Sequence, residues 1–264
     1  MARHDSMTET FKVLILAVLQ GVTEFLPISS SGHLALAQDL LGVNAPGVAL
    51  EVILHAGTLI SVLVFYRHRL ITMVHELPRA GSVGRRELRL LIVGVIPIGI
   101  LGVACRDSIL PLFERPQFVS IMLIATGGVL LSLFFCRSAD KPLGLGCALV
   151  IGLAQALAII PGVSRSGITI VTARHFGIAP DDAAEFSLLL MIPAVGGAVV
   201  LQIGDMVAAG FEGLRLMDLV LALIVSAVVG YFAISCLVRA LRSGRMQWFG
   251  FYCVVLGIAG WVLT

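Results

Sequence analysis

Six stretches of this sequence are long and apolar enough to cross a lipid bilayer, at about residues 49–66, 89–105, 117–136, 184–204, 216–238 and 247–264. A helical span needs roughly 20 apolar residues to cover a ~30 Å hydrocarbon core. Lipid satisfies no backbone hydrogen bonds, so segments of this kind read as helices that bond within themselves. The composition agrees. Of 264 residues, 58% are hydrophobic and 13% charged, against about 25% charged in an ordinary soluble domain, and the mean hydropathy is +1.03. The first ten residues are polar and predict no cleavable signal peptide. The cysteines, Cys105, Cys136, Cys147, Cys236 and Cys253, stand singly in apolar sequence, which predicts neither a metal cluster nor disulfides.

Two further apolar regions are interrupted. Residues 12–41 are broken at Glu24 to His33, and residues 143–176 at Pro161 to Gly167. Each part is only about 10–18 residues, short for a crossing. The expected form is a re-entrant helix pair that dips into the membrane and returns to the same side. Irregular backbone at that depth must be buried in protein or line a wet cavity.

Basic residues orient this arrangement. One side holds Arg67, Arg69, Arg79, Arg85, Arg86, Arg89, Arg137, Lys141, Arg174, Arg239, Arg242 and Arg245. The other holds the fewer Arg3, Lys12, Arg106, Arg115 and Arg215. The first side is therefore predicted cytoplasmic. Both termini and the mouth of the first re-entrant pair are predicted to face outward, and the second pair to enter from the cytoplasm.

The interruptions repeat each other. The segment from Gln20 to Gly32, QGVTEFLPISSSG, lies over Gln155 to Gly167, QALAIIPGVSRSG, at an offset of 135 residues. Gly42 matches Gly177 at the same offset, and Pro46 with Pro180 and Glu51 with Glu185 match at 134. The expectation is one membrane domain over 1–264, with repeat halves at about 12–136 and 143–264. Each half carries one re-entrant pair and three spans. An odd number of spans inverts the second half relative to the first, and broken helices then meet near the midplane.

In each half a Ser-x-Ser-Gly motif follows a proline-containing break and opens an apolar helix. Ser29, Ser31 and Gly32 in one half, and Ser164, Ser166 and Gly167 in the other, therefore stand at helix N-termini, where backbone N–H groups and the helix dipole favour an anion such as phosphate. Arg165 adds a planar fork suited to phosphate oxygens. Glu24 offers a base or a metal ligand, Ser30 a nucleophile and His33 a proton carrier. Ser30 and His33, three apart, can share a helix face. Serines in membrane helices also serve simply to bond backbone carbonyls, and a structural ion pair competes with function for Glu24 and Arg165. A charge within the membrane nevertheless costs about 2.5–3.5 kcal/mol even on lenient scales, which argues for a purpose. Glu51 and Glu185 precede equivalent spans, as first-turn acids or as supports for the neighbouring motif, and His55 lies one turn beyond Glu51.

The runs Gln20 to His33 (QGVTEFLPISSSGH) and Pro161 to Thr169 (PGVSRSGIT) closely resemble the two signature motifs of bacterial undecaprenyl-diphosphate phosphatases, the bacitracin-resistance family. Ala184-Glu-Phe-Ser187 is similar to that family as well, and the resemblance covers essentially the whole chain. It implies an all-α membrane enzyme of the bacterial inner membrane that removes the terminal phosphate of C55 isoprenyl diphosphate. That reaction regenerates the lipid monophosphate carrier of peptidoglycan synthesis. Glu24, Ser30, His33 and Arg165 match the residues the family uses in catalysis. The resemblance further implies a divalent cation, Mg2+ or Ca2+, with Glu24 and Gln20 as the nearest ligands. Gln20 occupies a position that is Glu in some members and Gln in others, so a second carboxylate is missing there. His55 and Glu185 are expected to support the site from behind. The implied partners are a polyprenyl diphosphate and membrane lipids, and no nucleic acid. The sequence is silent on oligomeric state, with a homodimer as the assembly to test. The competing reading from another class is a transporter or flippase of polyprenyl phosphate lipids, since inverted repeats and a midplane anion site serve transport equally.

Overall fold

The computed structural model describes residues 2–41, 48–136, 140–209 and 215–263, apart from the side chains of residues 2–8, 39, 40, 48, 106, 107, 205 and 207–209. The matched Gly42 and Pro46, the loop residue Arg137, and the side chains of Arg3 and Arg106 thus lie outside the described residues. The described chain is helical, without a strand. In order come α1 (Ala2–Thr23), α2 (Ser30–Leu41), α3 (Val48–Phe65), α4 (Arg67–Glu76), α5 (Val83–Ala104), α6 (Arg106–Phe113), α7 (Pro116–Leu131), α8 (Leu145–Leu157), α9 (Arg165–His175), α10 (Pro180–Ala209), α11 (Leu216–Arg242) and α12 (Trp248–Leu263). A 3-10 turn, Ser132–Phe135, extends α7.

Four helices are long and apolar enough to cross a membrane: Val83–Ala104, Pro116–Phe135, Pro180–Gly204 and Leu216–Arg242. A fifth crossing is available if α3 and α4, bent by 69° at their junction, count as one. The chain is thus a multi-pass helical membrane protein with four to five candidate spans. The sixth expected span, 247–264, is the 16-residue α12, shorter than a full crossing.

Three expectations need correction. The first two expected spans leave residues 67–88 as a connecting loop, yet these form α4 and the first turns of α5. The chain turns at Tyr66, where the apolar sequence of α3 gives way to Arg67, His68 and Arg69. Met73 of α4 is buried while Ile71 and Val74 are exposed. Residues 106–113, expected as part of a loop, form the short α6. The first part of the first interrupted region is also longer than expected. It forms the 22-residue α1, whereas α2, α8 and α9 have 12, 13 and 11 residues.

The breaks have local causes. Pro27 has no N–H to return to Thr23, and its ring conflicts with that carbonyl, so α1 stops at Thr23. Pro161 stands in the same relation to the end of α8 at Leu157. Each following helix is capped by a serine. Ser29 Oγ accepts from the Gly32 N–H at 3.3 Å, and Ser164 Oγ accepts from the Gly167 N–H at 3.1 Å. A side-chain acceptor at this position satisfies one of the orphan donors of the first turn.

Packing crosses between the halves. α1 lies along α11, and α8 along α5. α7 pairs with α12, and α3 packs on both α10 and α11. Small residues permit this, as they do where lipid offers no hydrophobic drive to association. A Cβ added at Gly127 would stand 2.7 Å from the Gly250 carbonyl oxygen, and one at Gly250 would stand 2.8 Å from that of Gly127. Thr10 donates to Asp218 at 2.7 Å near the start of α11. Farther along, Gly21 meets Ser226 and Val229, and Phe25 meets Gly230. At about 1.5 Å per residue, the end of α1 therefore reaches the middle of α11.

Candidate active site

That mid-helix position is where the polar residues gather. Glu24 follows the last turn of α1, and its side chain is 2% exposed. Burial of a carboxylate demands partners, and Glu24 has three. Its Oε1 accepts from the Arg165 guanidinium at 2.8 Å. Its Oε2 accepts from the Ser30 hydroxyl at 2.5 Å and from the Gln20 amide at 3.2 Å. Arg165 is the first residue of α9 and Ser30 the first of α2, so two helix N-termini converge on one carboxylate. The site is divided between the halves: Gln20, Glu24 and Ser30 come from the first and Arg165 from the second.

The two motifs are also bonded to each other. Ser31 Oγ accepts from the Gly162 N–H at 3.2 Å and lies 3.2 Å from Ser29 Oγ. Ser166 donates to the Leu26 carbonyl at 3.4 Å and lies 3.4 Å from Ser164 Oγ. Among the residues read as a phosphate cradle, Ser29, Gly32, Ser164 and Gly167 thus make cap bonds, and Ser31 and Ser166 join loop to loop. Ser29 has a φ of 67° and is the only non-glycine with positive φ among the described residues. Such backbone costs about 1–3 kcal/mol and persists where the surroundings enforce it.

His33 does not share a hydrogen bond with Ser30, as their spacing suggests it could. Its Nδ1 is 2.8 Å from the Ser29 carbonyl and its Nε2 is 2.7 Å from the Tyr252 hydroxyl of α12. The partner of Ser30 is Glu24. His55 Nδ1 bonds the Glu51 carbonyl one turn back at 2.9 Å, and His55 is close enough to act electrostatically on Glu24. Glu185 is drawn elsewhere. It accepts from Arg69 at 2.9 Å, and Arg69 also pairs with Glu87. It joins α10 to the α4–α5 corner rather than backing Glu24.

Sequence reasoning missed Tyr252 and Thr126. Thr126 of α7 donates to the Gly162 carbonyl at 2.9 Å and accepts from the Ser164 N–H at 3.1 Å, holding the second loop in place. A threonine in a membrane helix ordinarily bonds its own helix, so nothing local marked it. Tyr252 carried a weak signal as one of three tyrosines in the chain.

Among the described residues no three His, Cys, Asp or Glu side chains converge as a metal cluster. The site offers two oxygen donors, the Glu24 carboxylate and Gln20 Oε1, which is buried without a hydrogen-bond partner. Two oxygens are too few for a resident ion. They do suit a hard cation that arrives on a diphosphate and keeps phosphate and water ligands.

Residues 13–259 match the family described as bacitracin resistance protein BacA. The chain belongs to that family. Curated relatives are similar over nearly their whole length. An undecaprenyl-diphosphatase of Halothermothrix orenii is 41% identical over 253 residues, covering 95% of this chain and 96% of the relative. One of Rhodopirellula baltica is 39% identical over 258 residues, covering 96% and 97%. A third, of Korarchaeum cryptofilum, is 37% identical over 261 residues, covering 95% and 98%. The BacA match encloses every polar residue of the site, from Gln20 to Tyr252.

Proposed function

We propose that this chain is an undecaprenyl-diphosphate phosphatase. It releases inorganic phosphate from the lipid diphosphate and returns the monophosphate carrier to cell-wall synthesis. The observation that carries the reading is the hydrogen-bonded series Arg165–Glu24–Ser30, in which a hydroxyl, a base and a phosphate-binding cation meet at the middle of the helical bundle. A lipid carrier needs an anion clamp but neither nucleophile nor base, and the names of the curated relatives favour hydrolysis over transport.

In this reading the prenyl tail lies along apolar helices and the diphosphate enters beside Arg165. Ser30 Oγ attacks the terminal phosphorus and gives its proton to Glu24 Oε2. The anhydride P–O bond breaks, and lipid monophosphate leaves. Water then attacks the phosphoserine with its proton passing to His33, Glu24 returns its proton to Ser30 Oγ as the Oγ–P bond breaks, and inorganic phosphate departs. Arg165 and the N-termini of α2 and α9 stabilise the charge that develops, and such stabilisation usually accounts for most of the acceleration of phosphoryl transfer. A bound Mg2+ or Ca2+ would add charge neutralisation, held by Glu24 and Gln20 Oε1. The site needs no second copy, since one chain supplies both halves of it.

The finer architecture belongs to the same proposal: two inverted halves, about 12–136 and 143–264, forming six crossings and two re-entrant pairs in the inner membrane. The exchange of partners, α1 with α11 and α8 with α5, supports it. So does the position of both breaks beside the middle of the long helices. The distribution of basic residues supports outward-facing termini and an outward-facing site mouth.

The test is phosphate release from undecaprenyl diphosphate by the purified protein in detergent, where vectorial transport does not occur. Release is expected, together with a labelled phosphoenzyme on acid quench that Ser30→Ala lacks. An inert preparation sinks the activity. An active one that carries no label at Ser30 sinks the covalent step alone.

A further inference from the structure

Both nitrogens of His33 are occupied. The Ser29 carbonyl can only accept, so Nδ1 carries the proton at that 2.8 Å contact. The neutral ring then presents Nε2 as an acceptor, and the Tyr252 hydroxyl donates to it at 2.7 Å. The two ring planes lie within 10° of each other. Tyr252 is 45% exposed on α12 while His33 is 7% exposed. The tyrosine ring therefore faces outward and its oxygen inward. An apolar environment enforces this orientation, because a hydroxyl left without a partner in lipid is costly.

We propose that Tyr252 is the positioning residue of His33. It holds the imidazole in one tautomer and one orientation, turned away from Ser30 and toward the α12 side of the pocket. The ring gains its proton along this bond, since the hydroxyl passes its own proton to Nε2 and takes that of water in exchange, then accepts from the new Nε2–H. This contact also accounts for the absence of a Ser30–His33 bond. Ser30 is left to Glu24, and the imidazole is reserved for the later proton transfer. Rings that act on a reacting group depend on such an orienting partner.

The inference rests on the phosphatase reading, and its test separates the two. In detergent, Tyr252→Phe is expected to lower kcat roughly tenfold, the worth of one hydrogen bond in the rate-setting step, with KM within about twofold of the parent. In the His33→Gln background the same change is expected to have no further effect. Parental kcat in a folded Tyr252→Phe protein overturns the inference, and so does an undiminished effect in the His33→Gln background. Should His33→Gln itself release phosphate at the parental rate, the catalytic role of His33 fails independently of Tyr252. Nitrogen NMR of the parent's imidazoles gives a reading that does not depend on the variant folding. A hydrogen-bonded Nε2 acceptor with protonated Nδ1 is expected for His33. A free Nε2, or a proton on it in the neutral ring, overturns the proposal.

Discussion

The Ser29–Gly32 and Ser164–Gly167 motifs share a sequence pattern, a preceding proline and a serine cap, yet their backbones differ. In the second, the left-handed residue of the approach is Gly162, with a φ of 91°, and the cap Ser164 is relaxed and extended at −79°. In the first, the cap Ser29 itself is left-handed at 67°. The carbonyl of that strained serine orients His33, and the residue after it is Ser30. The second motif makes a comparable helix start at lower conformational cost and contributes Arg165. The two turns share one sequence pattern, and the strained one carries the candidate reactive groups.

The largest effect expected on this contrast comes from Arg165. Arg165→Ala should lower phosphate release by at least about 10²–10³-fold, on the order seen when an oxyanion donor is lost. It also leaves Glu24 buried without its cation, which costs about 3–5 kcal/mol, read as a lower melting temperature in detergent. Adding Glu24→Gln should recover much of that stability and none of the activity. Recovery of activity would break the division of labour between the halves. Next, Gly162→Ala should destabilise by a few kcal/mol. Its Cβ would stand 2.5 Å from the Val119 carbonyl oxygen on backbone that side chains seldom adopt. Paired alanine substitutions of the serines come third. Ser30→Ala should abolish turnover and cost about 1.5–3 kcal/mol as a lost hydrogen bond to a buried carboxylate, whereas Ser164→Ala should cost about 1 kcal/mol as a lost cap and keep most turnover. The smallest effect concerns glycine at the two caps. Ser29→Gly relieves strain and should match or exceed the parent's melting temperature, while Ser164→Gly should lower it by the equivalent of roughly a few tenths of a kcal/mol. Equal shifts would remove the strain argument.

Much of this was legible in the chain. The breaks at Pro27 and Pro161 and the capping serines followed from local rules, and the pairing of Glu24 with Arg165 from the need of a charge within a membrane for a partner. The long spans followed from apolar length. What escaped were pairings of uncharged groups far apart in the chain, where no charge demanded a partner. His33 and Tyr252 are separated by 219 positions and Ser31 and Gly162 by 131, and no periodicity encodes such meetings. Equivalence by repeat misled at Glu185. Glu51 stays beside His55 and the site, but Glu185 is claimed by Arg69 of α4, a helix inserted in the first half with no counterpart in the second. That helix looks like a loop in the sequence because its short run of arginine and histidine carries too few apolar residues to show a period.

The ion pair between Glu24 and Arg165 spans 141 positions, and that separation bears on how the protein is made. Chains emerge from the ribosome at roughly 5–20 residues per second, so Glu24 precedes its cation by about 7–28 s. During that interval the growing chain holds a carboxylate that the finished fold buries, with no cation yet made to neutralise it. The first helix pair must then wait at the membrane surface, carry a proton on Glu24, or be sheltered by the insertion machinery until α9 arrives. Biogenesis of this protein is therefore governed by its last-made partner, and a chain truncated before residue 165 should be a substrate for membrane proteolysis rather than a half-built enzyme.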